Sequence, residues 1–216
     1  MKLVIQLLLW IVIIFLGYLV FNAVYDPIQF NKVKEKRYAK VIDRLKDIRA
    51  AQLAHQEITG AFEKDFDGLI KFIDTAEFVL TQRRDTTYMD EEYRKTYGVD
   101  KLKDDYVIDT LGYASVKDSL FKNSDRYKQM MKVPVDGVDA NFEMNAGTVV
   151  KNDAKISVFE VKVPKKVILY DQDKDLVMQE EQVISVEGVN GPNIRVGSME
   201  EVNTKGNWPT IYGDSE

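Results

Sequence analysis

The sequence predicts an α+β fold. A transmembrane helix at the N-terminus continues into a long amphipathic helix, which packs on a C-terminal antiparallel β-sheet. Three observations carry this. Leu3 to Tyr25 form 23 residues without a charge. Apolar residues then recur at steps of three and four up to Ile58. From Val133 onward the period changes to two.

The uncharged run is long enough to cross a bilayer core of roughly 30 Å as a helix, which takes about 20 apolar residues. Trp10 lies inside it, and Tyr18 and Tyr25 lie toward its end, where an interfacial aromatic belt falls. A cleavable signal peptide wants small residues before the cut, whereas Phe21 stands at that place before Asn22 and Ala23. The run is therefore read as an uncleaved single-pass anchor over 1–26. Gly17 and Asn22 are candidate contacts on it, because a small and a polar residue let a second membrane helix approach.

Charge divides at the same place. Residues 1–40 hold six Lys or Arg against Asp26 and Glu35, a net +4. With -5 for the whole chain, -9 falls on the remainder. Such an acidic domain is a poor nucleic-acid binder. The basic stretch Lys32, Lys34, Lys36, Arg37 and Lys40 suits anionic lipid head groups. By the positive-inside rule it also favours a cytoplasmic C-terminal domain, against the outward signals below.

Pro27 starts or kinks the next helix. Its apolar stripe is Tyr38, Val41, Leu45, Ile48, Gln52, His55 and Ile58, widened by Ile42 and Leu53, and Gly60 ends it. A short second helix over 67–78 turns Phe66, Leu69, Ile70 and Ile73 toward the first. Together these make a helical region of 27–80.

Leu45-Lys46-Asp47-Ile48-Arg49-Ala50-Ala51-Gln52-Leu53-Ala54-His55, then Thr59-Gly60-Ala61-Phe62 and Asp65-Phe66-Asp67-Gly68-Leu69, carry a resemblance. With the apolar helix and Pro27 before them, they resemble the long first helix of type IV pilins and type II secretion pseudopilins, over roughly the first third of the chain. The prepilin processing glycine before the apolar run and the glutamate five residues into it have no counterpart. The resemblance thus implies an uncleaved, pilin-like subunit of a bacterial envelope assembly in the inner membrane. Its domain would be periplasmic and its partners other membrane or envelope proteins in an oligomer or hetero-complex.

Residues 81–105 are dense in charge and read as a polar linker or exposed helical segment. Tyr88, Tyr93 and Tyr97 punctuate it as candidate contact residues. Asp recurs before Ser or Thr and a small or aliphatic residue at Thr75, Thr86, Thr110 and Ser119. The pattern resembles the acceptor sites of a bacterial O-glycosylation system acting outside the cytoplasm. Asp-Ser/Thr pairs are also ordinary turn and cap chemistry.

The β-rich domain, 106–216, starts with a strand at 106–108. Alternation over 142–146 and 159–163 marks two strands, and 167–170 and 183–186 read as two more, in a sheet of four to six. Asp171-Gln172-Asp173-Lys174-Asp175 has the first three carboxylates of a calcium loop, but Leu176 and Gln182 stand where glycine and glutamate are required, so it is read as a hairpin turn. Trp208 is either an interface anchor or a packed terminal residue.

Catalysis finds little to work with. There is no cysteine and one histidine, His55, which falls on the core stripe. No phosphate-binding loop, nucleophile elbow or metalloprotease motif occurs. The expectation is a non-enzymatic protein without cofactor or metal, structural in role, or else a membrane-tethered periplasmic module binding a carbohydrate, peptide or envelope component.

Overall fold

A computed structural model describes residues 2–122 and 124–213, with Asn22 described in its backbone only. The order is α1 (Lys2–Thr59), α2 (Phe66–Thr75), β1 (Glu77–Met89), α3 (Glu91–Tyr97), β2 (Leu102–Ser115) and α4 (Val116–Phe121). Then follow β3 (Glu143–Lys151), β4 (Ala154–Pro164), α5 (Lys165–Ile168), α6 (Lys174–Glu181) and β5 (Asn193–Gly197). The plan is α+β, with two antiparallel sheets: β1-β2, and β3-β4-β5.

α1 is one helix of 58 residues, about 87 Å long. Pro27 lies inside it without ending it. Its two halves meet different surroundings. None of the apolar window in the first half is buried, and by length and composition this helix can cross a membrane. The second half enters the core with Tyr38, Val41, Ile42, Leu45, Ile48, Ala51 and Ala54, all at most 4% exposed. Leu53 and Ile58, expected on the stripe, are exposed, and the two alanines are buried instead. Small residues allow the close approach of the chain that turns back over the end of the helix.

That turn is fixed by Gln52, which is fully buried. Its Nε2 donates to the Glu63 carbonyl and its Oε1 accepts from the Glu63 amide, both at 2.9 Å. Gly60 closes the helix in the left-handed region, its amide donating to Gln56 O. Asp65 caps α2 by accepting from the Gly68 amide at 2.8 Å, and Leu69 and Ile73 pack into the core.

The three-stranded sheet covers α1 with Phe159, Val161, Val163, Ile194 and Val196. Asn152 and Asp153, both at positive φ, make the two-residue turn joining β3 to β4. Gly197 is also left-handed, and a Cβ there would lie 2.2 Å from the Phe159 carbonyl.

A buried ionic cluster ties α1 to α5 and α6. Lys165 is fully buried, and its Nζ donates to the carbonyls of Glu180 at 2.6 Å and Val189 at 2.7 Å. It also lies 3.3 Å from Glu180 Oε1, while Lys34 reaches Glu180 Oε2 at 3.0 Å. Burial pushes the Lys165 ammonium below its ordinary pKa and the Tyr38 hydroxyl above its own. One turn away, Arg37 forms a two-pronged pair with Asp171, at 2.6 and 2.8 Å. That pair holds the Asp171 carboxyl well below the usual carboxylate range.

Five sequence expectations are corrected. Residues 81–105 are neither one linker nor one helical segment: 81–89 and 102–105 lie in β1 and β2, where cross-strand pairing outweighs their polar composition, and only Glu91–Tyr97 is an exposed helix. The sheet beyond Val133 has three strands rather than four to six. Residues 167–170 fall in and just after α5, where Pro164 provides the helix start. Residues 183–186 form a loop, since Ile184 and Val186 find no surface to cover them. The Asp171–Asp175 segment likewise joins two helices, with Asp173 capping α6, and is no hairpin turn.

Gly197→Ala should cost about 3 kcal/mol or more, from left-handed strain plus the carbonyl clash. Gly60→Ala, which has open space around it, should cost only about 1 kcal/mol. Denaturant unfolding of the detergent-solubilised chain reads both, and equal costs would contradict the packing at Gly197.

Glu180→Ala should cost about 3–5 kcal/mol by stranding the Lys165 charge. Asp171 has a folded pKa below its unfolded value of about 4, so its stabilisation is complete above that pH and lost as pH falls through the folded pKa. Asp171→Asn should therefore lower the melting temperature at neutral pH and flatten its decline in acid.

Candidate interaction site

β1 and β2 pair over thirteen positions into a ribbon about 40 Å long, with a bulge at Leu111. Among the described residues its main ties to the rest of the fold are at its base. There the Val116 amide donates to Ala76 O at 3.0 Å, and α2 and α4 flank the strand ends. Beyond the base nearly every side chain is exposed on both faces.

The tip is a formed structure. Asp90 caps α3 by accepting from the Tyr93 amide at 3.0 Å, and Gly98 ends it in the left-handed region. The Asp90 amide donates to Lys101 O at 2.9 Å, which closes the loop. The rings of Tyr93 and Tyr97 pack at a tilt of 37°, centroids 4.6 Å apart, and the Lys101 ammonium sits 4.8 Å from the Tyr93 ring.

The two faces differ. Directly opposed residues share a face, so Val79 with Tyr113, Arg83 with Ile108, Asp85 with Tyr106, and Met89 with Leu102 lie together. The six apolar members of that set are 41–67% exposed. Arg83 lies over the Tyr106 ring at 4.2 Å, and beside Asp85, Thr87 and Asp104 it bounds a shallow concavity of about 530 Å³. The other face carries Leu80, Val107 and Tyr88 among Gln82, Arg84, Thr86, Asp105 and Asp109, with Arg84 3.4 Å from Asp109. An isolated two-stranded ribbon is marginal in water. A long one that leaves large apolar side chains uncovered has the character of a contact surface.

The candidate residues named from sequence scatter over the molecule. Tyr88 and Tyr97 are exposed on the ribbon and at its tip, and Tyr93 is half-buried between them. Gly17 lies on the apolar half of α1 with open space around it. The side chain of Asn22 lies outside the described residues. Trp208 is only 4% exposed, with Gly206 so close beneath its ring that a Cβ would clash, and so it belongs to the core and not to an interface. The four Asp-Ser/Thr positions are all exposed. Thr75 ends α2, Thr86 and Thr110 lie on the ribbon strands, and Ser119 lies in α4.

His55 packs its ring against Phe72 at 4.6 Å, with Nδ1 2.6 Å from Ala61 O and Nε2 3.5 Å from Glu63. It is built into the turn after α1. A second, polar cleft of about 430 Å³ lies on the three-stranded sheet, lined by Glu160, Lys162, Asn190, Arg195, Ser198 and Asn207. Arg195 and Glu160 pair across it at 3.1 Å.

Sequence reasoning passed over Ile108, Tyr106, Tyr113, Val79 and Leu102 as contact residues. The signal for them was the density of β-branched and aromatic residues over 78–88 and 106–113, outweighed in reading by the intervening charges. Comparison with protein-family models, with curated proteins and with solved structures gives no match to this chain.

Few tertiary contacts hold the outer ribbon, so its backbone amides should exchange hydrogen much faster than those of β4 in the isolated full chain. Exchange mass spectrometry reads this directly. Equal protection in the two segments of a monomer would show that the ribbon is stabilised from within.

Proposed function

We propose that this chain is a single-pass, pilin-like structural subunit of a bacterial envelope assembly of the secretion, motility or pilus type. The anchor would lie in the inner membrane and the folded part in the periplasm. The ribbon would be its grip on a neighbouring subunit. One observation carries the reading: a single rigid helix is bare and apolar in its first half and buried in a folded domain in its second. That division suits a protein that positions a domain at a set height above a bilayer. The exposed apolar face of the ribbon supports a protein partner. The role is structural and not enzymatic in this reading, because the only imidazole serves the turn after α1.

The basic stretch after the anchor need not report orientation. Lys34, Arg37 and Lys40 each face a carboxylate of the domain, at 3.0, 2.6 and 3.7 Å. Their presence thus has a reason within the fold, which weakens the charge-based argument for a cytoplasmic domain. A second reading, a tethered periplasmic module that binds a carbohydrate, peptide or envelope component, is favoured by the polar cleft beside Arg195.

Photo-crosslinking residues placed at Tyr106 and Ile108 of the full chain in membranes should yield adducts with another polypeptide, while one at Val150 should not. Absence of adducts at every ribbon position, together with binding of a soluble glycan or peptide that Arg195→Ala abolishes, would replace the first reading by the second. A phosphatase reporter fused after Glu216 should be active. An inactive phosphatase with a fluorescent cytoplasmic reporter at the same place would put the domain on the other side.

A further inference from the structure

No flexible linker separates the apolar run from the folded part, because α1 is continuous from Lys2 to Thr59. Phe30, five residues beyond Tyr25, is already in the core at 6% exposed. Five residues advance a helix by about 7.5 Å, and the polar layer on each side of a bilayer core is about as thick. If the run spans the bilayer, the folded part therefore rests on the head groups. The surface it rests on is set by the lowest bonds along α1.

Those bonds belong to the end of α6, where Glu180 meets Lys34 at 3.0 Å. Lys165 then holds both ends of the segment that follows, through the carbonyls of Glu180 and Val189. Just past its far end, the Gly191 amide donates back to Val183 O and Asn190 Oδ1 accepts from the Ser185 amide, at 3.2 and 2.8 Å. The result is a compact, closed loop. On it Ile184 and Val186 are each 93% exposed, the most exposed large apolar side chains among the described residues. Two bare aliphatic side chains on an ordered loop are unfavourable in water. Glu181 and Glu187 flank them, and Lys32 and Lys36 are exposed on the neighbouring stretch of α1. Such a mixture of apolar tips and charged shoulders suits the zone between head groups and acyl chains.

We infer that the loop 183–188 is a second membrane contact, which inserts Ile184 and Val186 into the lipid interface beside the anchor. This rests on the reading of the apolar run as a membrane span. The contact gives the domain two attachments to the bilayer and so fixes its rotation about α1 as well as its height. The direction in which the ribbon points would then be the same for every copy.

The absence of cysteine makes the test direct. Single substitutions Ile184→Cys, Val186→Cys, Leu9→Cys and Val150→Cys in the full chain are labelled with an environment-sensitive fluorophore. The chains are reconstituted in phosphatidylcholine–phosphatidylglycerol vesicles. Labels at 184 and 186 should emit to the blue of the label at 150. They should resist an aqueous quencher and be quenched by doxyl groups on the acyl chains. Aqueous quenching at 184 and 186 equal to that at 150, with Leu9 protected, would overturn this inference and leave the anchor standing. Protection at 184 and 186 without doxyl quenching would mean that protein covers the loop, and would overturn it too. Aqueous quenching at Leu9 as well would remove the anchor reading and the inference together.

Discussion

The burial of the second half of α1 governs the rest of the molecule. Tyr38, Val41, Ile42, Leu45 and Ile48 are at most 1% exposed, and sheet, α2 and the C-terminal segment all meet on them. Each fully buried large aliphatic side chain is worth about 1.5–3 kcal/mol relative to exposure, so this stripe is the main reason the domain closes. The helix that supplies the core also supplies the apolar run, without a joint between them. The core and the run are therefore mechanically one body.

The ionic cluster around Lys165 and Glu180 serves a different end. Buried pairs add little net stability, since desolvation offsets most of the attraction. Their directional bonds still select one arrangement. Lys165 joins Glu180, Val189 and, through Glu180, Lys34, so α5, α6 and the following loop can seat against α1 in only one register. The ribbon is the opposite case. Its strands are well paired, but its side chains are spent on no core, which leaves an arm of defined shape and uncovered chemistry. The domain is thus locked to its helix, while the arm extends free of the domain.

Much of this was legible in the residues. The charge-free run, the three-four stripe from Tyr38 to Gln52, Gly60 as its end and the alternation in β3 and β4 each follow from local periodicity or turn chemistry. The ribbon was not legible. Arg83, Arg84, Asp85, Asp104 and Asp105 look like solvated linker until each is seen paired across the strands. Trp208 was open between surface and core, and only the Gly206 backbone beneath its ring decides it. Val167 and Ile168 read as strand because β-branched residues favour one. Pro164 and the buried Lys165 commit them to a helical turn instead.

By itself, the sequence determined that the chain has an apolar run fit for a bilayer, an amphipathic continuation, and an acidic α+β remainder without thiols. These are properties of residue type and spacing, which need no partner to be expressed. Only the tertiary structure decided which polar residues face water and which face one another. It made Lys165 a buried bond, turned the charged middle into an arm, and left Ile184 and Val186 bare on the loop that follows Glu180, the partner of Lys34. The reason is that burial and pairing are relations between distant segments. Lys165 and Glu180 are fifteen residues apart, and Lys34 and Glu180 are 146 apart. No local pattern records such distances.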